Sequence, residues 1–255
     1  MPSPTGNLHA FLDHPGPIAF AHRGGGLEAP ENTMVAFERA VKLGYRYLET
    51  DVRMTSDGVP LVFHDETFDR VTDRRGVVAA TPWGEAQRAR VSGQQIPRLD
   101  ELLGTWPDAR VNIDIKEDRG VAPVVAVLRR TKALDRVCVG AFSDRRIARF
   151  RRLAGNGVCT SAAPQSLARL RLASFGVPVP APAGDCAQVP LSYRGIPVLD
   201  RRLVTAAHRR GLPVHAFTID DEAGMEGMLE LGVDGIMTDR PTLLKEVLVR
   251  RGQWV

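Results

Sequence analysis

Short β-branched apolar runs alternate with stretches of helical spacing along most of this chain. Ile18-Ala19-Phe20-Ala21 reads as a buried strand ending at His22. Over 33–43 the apolar residues Met34, Phe37 and Val41 fall at helical spacing, with Asn32 or Thr33 as N-cap and Gly44 as stop. Strands are predicted at 47–52 and 61–63, then at 111–115, 137–142, 158–161, 214–219 and 235–238, with a weaker one at 188–191. Helices are expected near 121–131, 144–154, 163–173, 200–210 and 222–231. A series of βα units of this kind predicts an α/β fold whose parallel sheet closes into a TIM (βα)8 barrel.

Four stretches break the rhythm. Between the second and third predicted strands there is only a turn signal, Thr55-Ser56-Asp57-Gly58. Either the two strands form a hairpin or a crossover helix is missing. Residues 65–98 are polar, punctuated by glycine and proline and without clear period, so they read as a small insertion after the third predicted strand. Residues 176–197 carry the loosely spaced Pro178, Pro180, Pro182, Pro190 and Pro197, and 1–16 read as a loose arm. At 255 residues, one barrel domain over 1–255 is expected rather than two domains.

Composition narrows the function classes. The net charge is +4, yet the basic residues come in pairs such as Arg129-Arg130, Arg151-Arg152 and Arg209-Arg210, mostly on predicted helices. None is interleaved with aromatics, which make up 6% of the chain. Solvated helix faces are therefore expected and a nucleic-acid platform is not. The positive field still favours an anionic substrate. Cys138, Cys159 and Cys186 form no CxxC pair and read as buried thiols of a reducing compartment. No apolar run approaches the ~18 residues of a membrane span. No charged and apolar leader pattern opens the chain. The expectation is a cytoplasmic protein without an integral membrane segment.

The chemistry is concentrated at strand ends, where a βα barrel carries its working groups. His22-Arg23 follows the first predicted strand, Glu49 and Asp51 end the second, His64-Asp65 the third, and Asp114 and Lys116 the fourth. Thr218-Ile219-Asp220 and Thr238-Asp239 end later ones. Glu49 and Asp51 are two apart on a strand and so share a face. Two adjacent anions repel unless a cation lies between them, and Asp114 offers a third carboxylate. An all-oxygen set suits one divalent ion, Mg²⁺ or Ca²⁺, better than zinc. The alternative for any one acid is a salt bridge to Arg23 or Lys116. His22 and His64, beside these acids, are placed to act as general acid and base. His9, His14 and His208 have no such setting, and His215, within a strand, reads as a core histidine.

Taken together, several segments resemble the glycerophosphodiester phosphodiesterase family. They are His22-Arg23-Gly24, Pro30-Glu31-Asn32-Thr33, Glu49-Thr50-Asp51-Val52, Thr55-Ser56-Asp57-Gly58, His64-Asp65, Asn112-Ile113-Asp114-Ile115-Lys116 and Gly232-Val233-Asp234-Gly235-Ile236-Met237-Thr238-Asp239-Arg240-Pro241. Their order is that of the family, and Ile96-Pro97-Arg98-Leu99 resembles the end of its insertion. The resemblance implies a metal-dependent hydrolase on a TIM barrel lacking a helix between strands two and three. Its reaction would be cleavage of small glycerophosphodiesters to glycerol 3-phosphate and an alcohol. By position it implies Glu49, Asp51 and Asp114 as ligands of one divalent metal, and His22 and His64 as the acid–base pair. Arg23 and Lys116 become the phosphate-binding cations, with Glu31 and Asp65 supporting them from behind. Asp114 stands where the family often has Glu, and Phe217, at the substrate pocket, where it often has Trp. Two rival outcomes are a lysophospholipid lyase of the same superfamily, giving a cyclic phosphate, and a non-catalytic phosphodiester-binding barrel.

Overall fold

Eight strands run parallel in one curled sheet. They are β1 (Ile18–Ala21), β2 (Tyr47–Met54), β3 (Arg110–Ile115), β4 (Val137–Gly140), β5 (Cys159–Thr160), β6 (Ala187–Pro190), β7 (Val214–Phe217) and β8 (Gly235–Thr238). Their spatial order is β5-β4-β3-β2-β1-β8-β7-β6, and a single parallel bridge between Ser161 and Cys186 joins the two ends into a ring. This computed structural model describes residues 9–155 and 157–255, so the first eight residues of the expected arm lie outside it.

A helix of seven or more residues follows each ring strand: α1 (Met34–Lys42), α2 (Leu99–Thr105), α3 (Val121–Arg130), α4 (Asp144–Ala154), α5 (Pro164–Ser174), α6 (Arg201–His208), α7 (Glu222–Leu231) and α8 (Pro241–Arg250), and the insertion adds a single helical turn at Trp83–Ala86. The Thr33, Ser143, Asp200 and Asp221 side chains cap four of these by accepting from free amides of the first turn. Proline at the first position starts α5 and α8 without losing a hydrogen bond. The TIM barrel expected from the sequence is the fold observed. The α2 and α8 helices were not anticipated.

Alternation along the strands sorts side chains between two environments. On β2, Leu48 and Val52 pack outward with the helices, whereas Tyr47 faces the ring interior with Phe20 and Met237. Glu49 and Asp51 share the face of Tyr47. At the amino-terminal end of the ring, Phe11 on the short turn Ala10–Leu12 is fully buried and packs edge-on against Tyr47, whose hydroxyl donates to Phe11 O. From residue 9 onward the arm is therefore a plug rather than a loose lead.

No helix separates β2 from the next run, Pro60–Val62, as expected, but that run is not a ring strand. It pairs antiparallel with β2, Val52 opposite Val62 and Met54 opposite Pro60. The third ring strand is β3, and the crossover to it does contain a helix, α2, placed after the insertion. The insertion carries its own small core of Phe68, Val78, Ala86, Ala89, Val91 and Ile96 against Leu61 and Phe63. The weakly predicted strand near 188–191 is β6.

His215 lies inside the ring on β7, fully buried, with neither ring nitrogen hydrogen-bonded. Burial pushes its imidazole down to about 4, against a partial upward pull from Asp234 and Cys159. The unfolded chain, near 6.5, binds the proton first, so the native state loses stability as pH falls from 6.5 towards 4. Replacing His215 by Met should remove about 3 kcal/mol of acid-side loss between pH 7 and 4. Urea unfolding of both proteins across that range checks this, and parallel pH profiles would contradict it.

Candidate active site

The register of the ring decides which strand-end groups meet. Asp51 on β2 pairs with Asp114 on β3, and Glu49 pairs with Asn112. Asp51 and Asp114 are thus neighbours on the inner face, and both are buried together with Glu49. Lys116, two residues beyond Asp114, places its Nζ 2.7 Å from Asp51 Oδ1 and 2.6 Å from Asp114 Oδ2. Burial would lower the ammonium, but Asp114 and Asp51 more than compensate and raise it. Burial likewise works against Asp51, yet Lys116 and then Arg23 hold its carboxyl below the ordinary range. The cluster is anionic and its cations are fixed within it.

A tight turn at His22–Gly24 brings in two further groups. Arg23 takes left-handed dihedrals (φ 51°) and Gly24 follows at φ 81°. A Cβ on Gly24 would stand 2.7 Å from the Ala36 Cβ of α1, so only glycine lets the turn close against the helix. The Arg23 amide donates to Glu49 Oε2 at 3.1 Å. Its guanidinium bonds Glu31 at 3.0 Å, and its Nε lies 3.1 Å from Asp51 Oδ2, an ion pair without hydrogen-bond alignment. His22 Nδ1 is bound to Asp239 Oδ1 at 2.8 Å, and its Nε2 lies 3.7 Å from Glu49 Oε2. Burial opposes its protonation, but Glu49 and the Asp239 bond prevail and raise the imidazole. Burial pushes the Glu49 carboxyl up as well, with the Asp51 charge adding to it.

His64 reaches the same mouth by a different route. The β2 strand continues to Met54, and the antiparallel return brings the chain back until the Phe63 amide donates to Asp51 O at 3.0 Å. His64 is the next residue. Its Nδ1 bonds Asp65 Oδ1 at 2.6 Å, and Asp65 is in turn held by Arg70 Nε at 2.6 Å. Burial opposes ionisation of Asp65, but Arg70 and His64 hold its carboxyl down at about 2. Arg70 also grips both oxygens of Glu31, at 2.9 and 2.7 Å. The insertion thereby fixes both residues expected to support the site from behind.

Every predicted site residue lies at this mouth, Phe217 included. Phe217 meets the exposed Phe142 edge-to-face with centroids 6.5 Å apart, and Lys116 Nζ is 5.9 Å from the Phe142 ring. Several contributors had been given no role from sequence. Asn32 donates to Asp51 Oδ2 at 3.2 Å and accepts from the Thr50 hydroxyl. Asp239 orients His22, and Asp220 accepts from the Asp239 amide at 2.7 Å. Asn32 sits in the quoted Pro-Glu-Asn-Thr segment and both aspartates at strand ends, so position was the available signal. Phe142, too, ends a predicted strand, whereas Arg70 offered no signal.

The donor chemistry fits a hard divalent ion. All three carboxylates are buried, every donor is oxygen, and Asp114 Oδ1 is buried with no partner. Among the described residues these acids do not gather three ligand oxygens within 4.8 Å of one another. Lys116 holds the position between the two aspartates.

Comparison with known proteins identifies the family and the fold. The model of the glycerophosphoryl diester phosphodiesterase family matches residues 22–243. The chain is 42% identical over 251 residues to the probable glycerophosphodiester phosphodiesterase 2 of Mycobacterium tuberculosis, covering 96% of this chain and 95% of that one. It shares its fold with the putative glycerophosphoryl diester phosphodiesterase of Silicibacter pomeroyi, at a TM-score of 0.83 and 24% identity over 98% of this chain and 100% of that one. An Oleispira antarctica phosphodiesterase, solved with the product sn-glycerol-3-phosphate, superposes at a TM-score of 0.77 and 24% identity over 92% of this chain and 97% of that one. From residue 22 to residue 243, the chain belongs to the glycerophosphoryl diester phosphodiesterase family.

Proposed function

We propose that this chain hydrolyses small glycerophosphodiesters to glycerol 3-phosphate and an alcohol, and that the barrel over 1–255 acts as one domain. The observation that carries the reading is the pair of histidines at one mouth, each tethered through Nδ1 to a carboxylate, at 2.8 Å for His22 and 2.6 Å for His64. A carboxylate on Nδ1 fixes the ring and its tautomer, leaving Nε2 for the reacting atoms. Arg23 and Lys116, both ion-paired with Asp51, are two cations suited to a phosphodiester anion.

In this reading Arg23 and Lys116 bind the non-bridging oxygens and hold the phosphorus in place. One histidine takes a proton from the attacking hydroxyl or water, and the other returns one to the leaving alcohol oxygen. Glu49, Asp51 and Asp114 would hold the divalent metal, Mg²⁺ or Ca²⁺, which when bound supplies charge neutralisation at the phosphate oxygens. The Phe217–Phe142 wall gives the glycerol or alcohol portion an apolar side.

His22→Ala and His64→Ala should each lower kcat on glycerophosphocholine by roughly 10²-fold or more, with circular dichroism unchanged. Near-normal turnover in either variant would remove that histidine from the mechanism. Phosphorus NMR of the wild-type reaction should show glycerol 3-phosphate as the end product, whereas accumulation of a cyclic phosphate would assign a lyase instead. Exhaustive chelation should abolish turnover and added Mg²⁺ or Ca²⁺ restore it; chelator-resistant activity would dismiss the metal.

A further inference from the structure

Cys138, Cys159 and Cys186 are far apart in sequence but come from three consecutive ring strands, β4, β5 and β6 (Cys186 just before its first residue), and all are fully buried. Their sulfurs lie within 4.8 Å of one another, and Cys138 Sγ and Cys186 Sγ are 3.9 Å apart. A zinc–thiolate bond is ~2.3 Å, so two sulfurs sharing one ion stand about 3.8 Å apart in a tetrahedral shell and about 4.0 Å in a trigonal one. The observed separation falls in that interval. A disulfide, at ~2.0 Å, would require large movement.

The position of the cluster separates it from the mouth. Each cysteine lies two residues before Gly140, Ser161 or Gln188, so those three form the next row towards the carboxyl ends on the same inner face. Gln188 Nε2 donates to Asn112 Oδ1 at 2.7 Å, and Asn112 itself pairs in register with Cys138. No carboxylate of the mouth joins the thiols within ligand distance. The cysteines also straddle the weakest part of the ring. The β5 strand has only two residues, and the ring closes through one bridge, Ser161 to Cys186.

We propose that these three thiols bind one soft cation of the Zn²⁺, Cd²⁺ or Cu⁺ class, which staples the closing seam of the barrel. Three sulfurs without oxygen donors select soft metals over the hard ion suited to the mouth. As metal–sulfur bonds form, each ligating thiol releases its proton to solvent. Cys138 and Cys186 are already in S···S contact at 3.9 Å, so two of the three ligands need little movement to share an ion. Cysteine also serves as a small apolar filler. Filling space does not itself require three sulfurs gathered within 4.8 Å of one another across a seam.

The test uses the full chain, metal-stripped and kept reduced with a phosphine, titrated with Cd²⁺ alone. Thiolate-to-cadmium charge transfer absorbs in the ultraviolet, and carboxylate ligation gives no such band. The band should saturate at one equivalent and be accompanied by a rise in Tm. Both should be lost in Cys159→Ala and Cys186→Ala and kept in Asp51→Asn. Cys159→Ser and Cys186→Ser replace any alanine variant that fails to fold. A parallel arm adds Cd²⁺ during refolding, which removes burial as a barrier to entry. Absence of the band in both arms, with three reactive thiols counted in denaturant, would reduce the cluster to packing and overturn the proposal. An undiminished band in the cysteine variants would do the same.

Discussion

Burying carboxylates is the constraint on which this mouth depends. Glu49, Asp51 and Asp114 stand at the ends of adjacent ring strands with almost no solvent exposure. An unpaired buried charge costs several kcal/mol, and removing one partner of a buried pair exposes that cost. Asp51 resolves it with three partners at once: ion pairs with Lys116 and Arg23 and a hydrogen bond from Asn32. Each of these is delivered by a local feature that makes little sense otherwise. Asn32 and Arg23 occupy left-handed dihedrals, and Gly24 lacks the Cβ that would push the turn off α1. Strain of this kind persists where the surroundings over-determine it.

The ring interior is graded from the amino-terminal end to the mouth. Phe11, Phe20 and Tyr47 fill the lower end, where aromatic area contributes most to stability. The three thiols come next; Asn112, in register with Cys138 on one side and Glu49 on the other, bonds Gln188, and Asp51 and Asp114 lie one row further towards the mouth. This order keeps charge close to water and to a substrate that brings charge of its own. It also gives the mouth a rigid floor, so histidines and cations meet a ligand without first having to be ordered.

Much of this was legible in the sequence because strand periodicity and strand-end position carry most of the information. The spacing of Glu49 and Asp51 fixed their common face, and Asp114-Ile115-Lys116 did the same for the next strand. The antiparallel direction of Pro60–Val62 was harder to read, since a three-residue apolar run looks alike in either direction. The turn signal Thr55-Ser56-Asp57-Gly58 was the better guide. The α2 helix was hidden by its seven residues, too short for a clear period, and by the insertion before it. Arg70 could not be found at all: a lone arginine in a polar stretch has no pattern, and only the folded insertion sets it on Asp65 and Glu31. The cysteines make the same point, because ring neighbours need not have any sequence spacing in common.

On the proposed function, Glu49, Asp51 and Asp114 bind one divalent cation as a unit built around Asp51. Thermal unfolding of the metal-stripped protein, with and without millimolar Mg²⁺ or Ca²⁺, tests this independently of turnover. Wild type should gain Tm on metal addition, because a ligand that binds only the native state stabilises it. Asp51→Asn should show no such gain. An equal gain in both proteins, or none in wild type, would contradict the account.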